Sequence, residues 1–285
     1  MEVCCGGYAK PLARRRTTPV HKHGHDPLVA VLRCTTDDTL LLVETSGLGH
    51  RVGVGDLPIA KPSHRGTHLG GVLGGGPDDP LAGAIVLPRD PTGWTVVTAS
   101  AGGRIKRTPA AEFTDARQRS LQAAGVKDGD RVVAVALCRE EDHLLLAHDH
   151  GLVTRFPADH VRAMGRSAAG VAGMQVPPDA AVVALSVVPG GGDDGEVVTI
   201  GADGTGKRTP LAEYPVKGRG GKGLVTGTEQ LWWIGPAADL HLGGDEPQVL
   251  RGGDLGQARR AGRAEGLPGP AGAPVVAEQH QIPSG

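Results

Sequence analysis

The stretch VVTIGADGTGKR, Val197–Arg208, decides the fold. A β-branched run leads into Asp203-Gly204, a pair suited to a hairpin turn that needs positive φ, and Arg208 stands four residues beyond the glycine. The same order recurs in LLLVETSGLGHR (Leu40–Arg51), VVTASAGGRIKR (Val96–Arg107) and LLLAHDHGLVTR (Leu144–Arg155). The turn glycines Gly47, Gly103, Gly151 and Gly204 are 56, 48 and 53 residues apart. Six residues past each Arg comes an apolar residue: Leu57, Phe113, Val161 and Tyr214. A second Arg follows 11 to 14 residues after the first: Arg65, Arg119, Arg166 and Arg219. Further apolar runs, Arg131–Leu137 and Ala181–Val188, fill two of the linkers. A period of about 50 residues with up to four short strands is the size of a propeller-type blade. One such sheet cannot bury both faces, whereas several packed around an axis do.

Composition agrees. Among 285 residues there are 46 Gly and 22 Pro but only 2% aromatics, so the core has to be Val, Leu, Ala and Ile. No run of about 18 apolar residues is present to span a membrane. The opening MEVCCGGYAK lacks a charged segment followed by an apolar one, so no secretory signal is read there. Cys4, Cys5, Cys34 and Cys138 make no C-x-x-C pair, which argues against a zinc site or disulfide framework and fits a reducing cytoplasm. The chain divides into a partial amino-terminal blade (1–38), the repeats (39–251) and a tail (252–285) rich in Gly, Ala, Pro and Arg that reads as disordered. RRRTTP (Arg14–Pro19) echoes the KRTP of Lys106–Pro109 and Lys207–Pro210, as the back of a blade whose front is missing or degraded. Leu231–Ile234 belongs to a weak final blade. The expected architecture is all-β, a propeller-like disc of about four to six four-stranded blades.

Charge follows the repeat. The 30 basic and 31 acidic residues give a net charge of −1, yet residues 47–69, 101–119, 150–167 and 203–223 together carry +10. The cations therefore recur at one place in every unit, and radial packing puts them along one margin. A duplex bears a charge every ~1.7 Å of axis, and a curved basic surface offsets the cost of bending it. No aromatic-rich stacking platform accompanies the cations, so backbone readout with little base preference is the expectation. On these residues alone, a protein-interaction propeller and an enzyme remain alternatives.

Three segments narrow them: GRIKRTPAAEF (Gly103–Phe113), VRAMGRSAAGVAGMQV (Val161–Val176) and GTGKRTPLAEYPVKGRGGKGL (Gly204–Leu224). They resemble the repeats of the C-terminal domain of bacterial type IIA topoisomerase A subunits, those of DNA gyrase and topoisomerase IV. That family's blades carry G-x-x-K-R-T-P-L-x-E-[FY] and then a loop rich in Arg, Gly and Lys. Lys207, Arg208, Thr209, Pro210, Leu211, Glu213 and Tyr214 match it, and the likeness spans about residues 7–235. The resemblance implies a β-pinwheel whose basic perimeter binds and bends duplex DNA. By position the DNA-binding set is Arg51, Arg65, Lys106, Arg107, Arg119, Arg155, Arg166, Lys207, Arg208, Lys217, Arg219 and Lys222. Gyrase carries a Q-R-R-G-G-K-G box in its first blade. Here SHRGTHLGG (Ser63–Gly71) stands there instead, and the best match, KGRGGKG (Lys217–Gly223), comes in the last clear blade. That departure resembles the A subunit of topoisomerase IV more than that of gyrase. A wrapping domain of the gyrase type and a protein-interaction propeller without DNA binding are the alternatives.

The family's cleavage chemistry uses a Tyr with an adjacent Arg. This chain has only Tyr8 and Tyr214, and Tyr214 shares a repeat position with Phe113, so it reads as core. No catalytic residue, metal or cofactor is expected in this chain, which reads as the C-terminal portion of a longer subunit or a separate piece of one. ATP would be hydrolysed by a partner B subunit, and cleavage with Mg²⁺ would belong to the catalytic core. The implied partners are double-stranded DNA, that core and the B subunit, in a cytoplasmic, nucleoid-associated setting without a membrane.

Other signals are weaker. GRGGKG (Gly218–Gly223) lacks the Ser or Thr that follows GK in a phosphate loop. His21, His23 and His25 in HKHGH, and His64 with His68, have no Cys or acid at ligand spacing. Asp128 and Asp130 flank a glycine and read as a turn.

Overall fold

In each repeat the run before the turn glycine forms one strand and the run after it the next, and the glycine φ values of 85°, 82°, 73° and 78° close the four hairpins. The structure, a computed structural model, describes residues 1–4, 8–11, 28–59, 66–73, 77–228 and 230–237. It describes residues 2, 4, 10 and 28, and also 240–242, 248–250, 265–266 and 275–279, by their backbone alone. We name each blade by the Arg after its turn.

The Arg51, Arg107, Arg155 and Arg208 blades are separate four-stranded antiparallel sheets of one design. The hairpin supplies the two middle strands. The inner strand follows later in the chain: Leu81–Val86, Val132–Cys138, Val182–Val188 and Leu231–Pro236, respectively. The outer strand comes from the next blade's stretch of chain. Ser120–Gln122, which leaves the Arg107 hairpin, pairs with Leu48–Gly53 of the Arg51 blade. Val171–Ala172 pairs with Arg104–Pro109, Leu224–Val225 with Leu152–Pro157, and Glu265–Gly266 with Thr205–Pro210. This exchange of outer strands is what makes the disc a pinwheel.

Both ends obey the same rule. Glu2–Cys4 and Tyr8–Lys10 form a hairpin with Leu28–Leu32 inside it and Thr67–His68 outside it, so the front of the amino-terminal blade is present. RRRTTP lies outside the described residues. Leu231–Ile234 turns out to be the inner strand of the Arg208 blade, while Leu240–Leu242, Gln248–Leu250 and Val275–Gln279 form a sixth sheet segment. Val275–Gln279 runs parallel to Leu28–Leu32, joining the last blade to the first. Among the described residues the tail therefore contains the strands Glu265–Gly266 and Val275–Gln279. Runs of two and five residues outside the repeat carry too little periodicity to be read as strands in advance.

The apolar clusters lie between consecutive blades. Leu144 and Leu146 pack toward the Arg107 blade with Val97, Ile105 and Phe156, whereas Leu145 and Ala147 pack toward the Arg208 blade with Val197, Tyr214 and Ile234. The Arg51, Arg107 and Arg155 blades are covered on both faces, so their strands are continuous apolar runs rather than alternating ones. The inner strands of successive blades pack on one another around the axis. Among the described residues no helix is long and apolar enough to cross a membrane.

Candidate nucleic-acid interface

The third strand of three blades ends in Pro109, Pro157 or Pro210, where the missing N–H stops the ladder. A single helical turn follows, Ala111–Thr114, Ala158–His160 or Leu211–Glu213, and then the chain crosses to the edge of the preceding blade. Just after that turn, or at its end, an apolar side chain plugs the interior. Leu57, Phe113, Val161 and Tyr214 are all buried, as the repeat predicts for them. We call the crossing segment a strap. The cations of the repeat divide into two sets according to their place relative to it.

The first set clamps the strap from inside. Arg51 donates from Nη2 to the Thr114 carbonyl at 3.0 Å and from Nη1 to Ala116, while its own N–H reaches Arg119 O at 2.7 Å. Arg107 Nε donates to Val161 O at 2.7 Å, and Met164 N–H returns to Arg107 O at 2.9 Å. Arg155 Nη1 donates to Tyr214 O at 3.2 Å and to Asp193 Oδ1 at 2.7 Å, and Lys217 N–H donates to Arg155 O at 2.8 Å. Arg155 Nη2 donates to His143 Nδ1 at 2.8 Å. Desolvation and the neighbouring guanidinium both hold the His143 pKa below its usual value. Arg208 Nη1 pairs with Glu196 at 2.6 Å.

One position before the Arg, a second group stitches neighbouring straps together. Lys106 Nζ donates to Ala123 O at 2.7 Å and to Arg166 O, and Lys207 Nζ donates to Thr226 O. Burial pushes Lys106 down to about 8, and desolvation also lowers Lys207. His50 takes this place in the Arg51 blade, with Nδ1 2.9 Å from Ser120 Oγ and Nε2 2.6 Å from Glu44 Oε1. This hydroxyl–imidazole–carboxylate series ties the outer strand to its host hairpin.

These positions correct one expectation. Lys106, Arg107, Arg155 and Lys207 are 2%, 4%, 2% and 0% exposed, so they do not stand on the outer margin. They sit in middle strands sandwiched between two blades, where neither strand face reaches solvent. Their donors are aimed at backbone carbonyls of the strap, which would otherwise be buried without partners. Arg51 and Arg208 are half-buried in the same row, and Arg65 lies outside the described residues.

The second set rides on the strap itself. Arg119, Lys217, Arg219 and Lys222 are exposed and Arg166 is half-buried. Arg117 and Arg162, not singled out from the repeat, are exposed on the same segments. Their positions vary from copy to copy, so periodicity alone did not mark them. Arg119 Nη1 holds Val72 O at 2.9 Å, and Arg219 holds His160 O and Ala172 O, both at 2.9 Å. Arg166 reaches Glu112 at 3.7 Å. Successive straps also bond to one another by backbone. Gly125 N–H donates to Ala168 O at 3.0 Å, Gly220 N–H to Gly173 O at 2.6 Å and Gln175 N–H to Gly221 O at 2.9 Å. The straps thus form a hydrogen-bonded belt along the outer strands that carries the second set of cations, with Arg119, Arg166 and Arg219 bonded to it through their side chains.

The Ser120–His50–Glu44 series lines neither of the two described pockets, and its imidazole and carboxylate are buried. No three His, Cys, Asp or Glu side chains are grouped to hold a metal. A cleft of about 360 Å³ beside Trp94 is lined by Arg107, Glu140 and mostly apolar neighbours, with no histidine or second carboxylate. Tyr214 is 1% exposed, and Tyr8 packs edge-on against His68 at 4.8 Å. Asp130 accepts from Ser100 Oγ at 2.6 Å and Gly102 N–H at 2.9 Å, as a turn residue does. Cys34 and Cys138 are free thiols, and burial raises the pKa of both. His21, His23, His25 and His64 lie outside the described residues.

Comparison with known proteins agrees with this architecture. The model of the family described as the DNA gyrase C-terminal domain, β-propeller, matches residues 95–139, 142–189 and 195–226. The DNA gyrase A subunit of Deinococcus deserti is 33% identical over 195 residues, covering 67% of this chain and 24% of that protein. The Salmonella typhimurium protein of the same name is 32% identical over 221 residues, covering 78% and 24%. The chain thus spans about a quarter of the length of these relatives. Among solved structures, a DNA gyrase A C-terminal domain superposes with a TM-score of 0.77 at 15% identity, over 98% of both chains. The C-terminal domain of a DNA topoisomerase IV gives 0.74 at 22% identity, over 93% of this chain and 87% of that one. Repeat chemistry, strand exchange and these matches together place the chain in the family of β-pinwheels that form the C-terminal domains of type IIA topoisomerase A subunits.

Proposed function

We propose that this chain binds and bends duplex DNA along its belt of straps, presenting it to an ATP-dependent strand-passage core made by a B subunit together with the rest of an A subunit. The observation that carries this reading is the row of exposed cations, Arg117, Arg119, Arg162, Lys217, Arg219 and Lys222, on segments that bond to one another around the outer edge. Arg guanidinia held by carbonyls on one side keep donors for phosphate on the other. Phosphate contact of this kind positions a duplex without reading its bases. The chain's own part is binding and orientation; cleavage and ATP hydrolysis are assigned to the other components. Fluorescence transfer between the ends of a short duplex tests the bend: efficiency should rise as the protein is added and be indifferent to sequence. An unchanged end-to-end distance at saturation would exclude bending.

The paralogue question has support on both sides. SHRGTHLGG in place of the basic box favours behaviour like topoisomerase IV, bending without full chiral wrapping. The gyrase names of the relatives above favour the wrapping reading. Ligation of nicked circles in the presence of the protein separates them. The first reading leaves the linking-number distribution near that of free DNA; the second shifts it in one direction in proportion to bound protein.

A further inference from the structure

We propose that the cleft beside Trp94, at the open end of the Arg107 hairpin, is a binding site for a carboxylate, held by the guanidinium of Arg107. Nothing in it depends on duplex binding by the straps.

Arg107 lines this cleft, and its terminal nitrogens are short of acceptors. Nε donates to Val161 O at 2.7 Å. Nη1 is buried with no hydrogen-bond partner, and the Glu140 carboxylate stands 3.9 Å from Nη2, beyond hydrogen-bond reach. A guanidinium stays charged wherever it is placed, and a buried donor left unpaired is costly. The Cys138 thiol beside it is no counter-ion, because burial raises its pKa and keeps it neutral.

The other blades show what this position takes. Arg155 Nη1 holds Asp193 Oδ1 at 2.7 Å, and Arg208 Nη1 holds Glu196 Oε2 at 2.6 Å. In the Arg51 blade the carbonyls of Ala116 and Thr114 serve both terminal nitrogens instead. Asp193 arrives on Pro189–Gly195, a link of seven residues between the inner strand of the Arg155 blade and the next hairpin. The corresponding link after the Arg107 blade, Arg139–Asp142, has four. Of its acids, Asp142 turns its carboxylate onto Arg139 N–H at 2.7 Å, Glu141 is exposed and Glu140 is 78% exposed. The chain thus supplies a carboxylate to Arg155 and leaves the same place open at Arg107.

The walls suit an organic acid. Trp94, Pro91 and Pro109 give apolar surface, and the Arg139 guanidinium lies over the Trp94 ring at 4.4 Å, adding positive charge at the mouth. Asp90, exposed nearby, holds Thr92 N–H at 3.0 Å. A carboxylate matches the edge of a guanidinium with two parallel hydrogen bonds. Arg107, 4% exposed, lies too deep for the backbone of a rigid duplex, whereas a slender acid reaches it. An Asp or Glu side chain on a peptide segment and a free small acid share this chemistry.

The test is an NMR titration of the isotope-labelled full chain, read at the indole N–H of Trp94 and assigned from Trp94→Phe. The probes are sodium acetate, a blocked peptide Gly-Gly-Asp-Asp-Gly copied from Gly191–Gly195, the same peptide with Asn for Asp, and inorganic phosphate, all at constant ionic strength. Acetate and the acidic peptide should each shift the resonance saturably, and the Asn peptide should leave it in place. Peptide binding at least about tenfold tighter than acetate marks a carboxylate presented on a protein segment, and a smaller difference marks a free small acid. Glu140→Gln, at an exposed position, removes the competing charge and should tighten both about two- to fivefold. Arg107→Gln should abolish the shift. Because that change also takes Nε from Val161 O, the Glu140 variant keeps the test decisive if the Arg107 variant does not fold. No saturable shift with either carboxylate, an equal shift with the Asn peptide, tighter binding of phosphate than of acetate, or unchanged affinity in Glu140→Gln would overturn the proposal.

Discussion

Arg107 and Arg119 are twelve residues apart, belong to the same repeat and have opposite environments. Arg107 is enclosed between two blades and spends its Nε on the carbonyl of Val161, while Arg119 faces solvent from the strap. Replacing Arg155 with Ala removes the donors to Asp193, Tyr214 O and His143 at once, and should destabilise the fold by at least about 2 kcal/mol. Lys106→Met should cost about 1–3 kcal/mol by leaving the carbonyls of Ala123 and Arg166 unpaired, as urea melts would show. The Lys106 pKa of about 8 lies below the unfolded value, so the unfolded chain holds more protons between about pH 8 and 10.5. Stability of the wild type relative to Lys106→Met should therefore rise with pH across that window. His143 is likewise lowered, so its contribution is complete above about pH 6.5 and is lost as pH falls below that. Melts of His143→Gln should show a weaker decline on acidification than the wild type.

At the scale of the element, the turn glycine and the Arg four residues later act on the same strap. Gly47 O accepts from Ala123 and Ala124 N–H, Gly103 O from Gly173 and Met174, and Gly151 O from Thr226. A Cβ on these glycines would overlap the carbonyls of Ala124, Met174 and Thr228, besides opposing their positive φ. Gly129 has φ 76° but open space around it, which isolates the backbone effect. Gly129→Ala should cost about 1–2 kcal/mol, and Gly103→Ala should cost at least ~1 kcal/mol more by thermal or urea melts. The spacing G-x-x-x-R, legible in the sequence as a repeat, is in physical terms the pair of contacts that seats an exchanged strand. The apolar residue six positions on was equally legible, since Phe113 and Tyr214 can only be core in a chain so poor in aromatics. The exchange itself was not legible. An outer strand of two residues, such as Val171–Ala172, has no pattern of its own and is defined by the edge that receives it.

For the whole molecule, periodic charge was readable but its division was not. The Arg that recurs in every repeat has a role in every blade, and that role proved to be internal for Arg107 and Arg155, as it is for Lys106 and Lys207 one position before the Arg. The cations left for a duplex are those the straps carry: Arg119 and Arg219, which belong to the repeated second Arg, and Arg117, Arg162, Lys217 and Lys222, which follow no common spacing. The six sheet segments among the described residues, joined where Val275–Gln279 meets Leu28–Leu32, lie within the four to six blades expected from the repeats and the two ends. The central claim is that the belt cations, rather than the buried row, hold the duplex. The most direct measurement is the salt dependence of duplex binding, compared between the wild type and a variant with Arg117, Arg119, Arg162, Lys217 and Lys222 all changed to Gln. Contact with about six phosphates predicts a log–log slope near −5 for the wild type and, with only the Arg219 contact left, a slope near −1 for the variant at unchanged melting temperature. A variant that keeps the full wild-type slope, or a wild type whose affinity ignores salt, would contradict it.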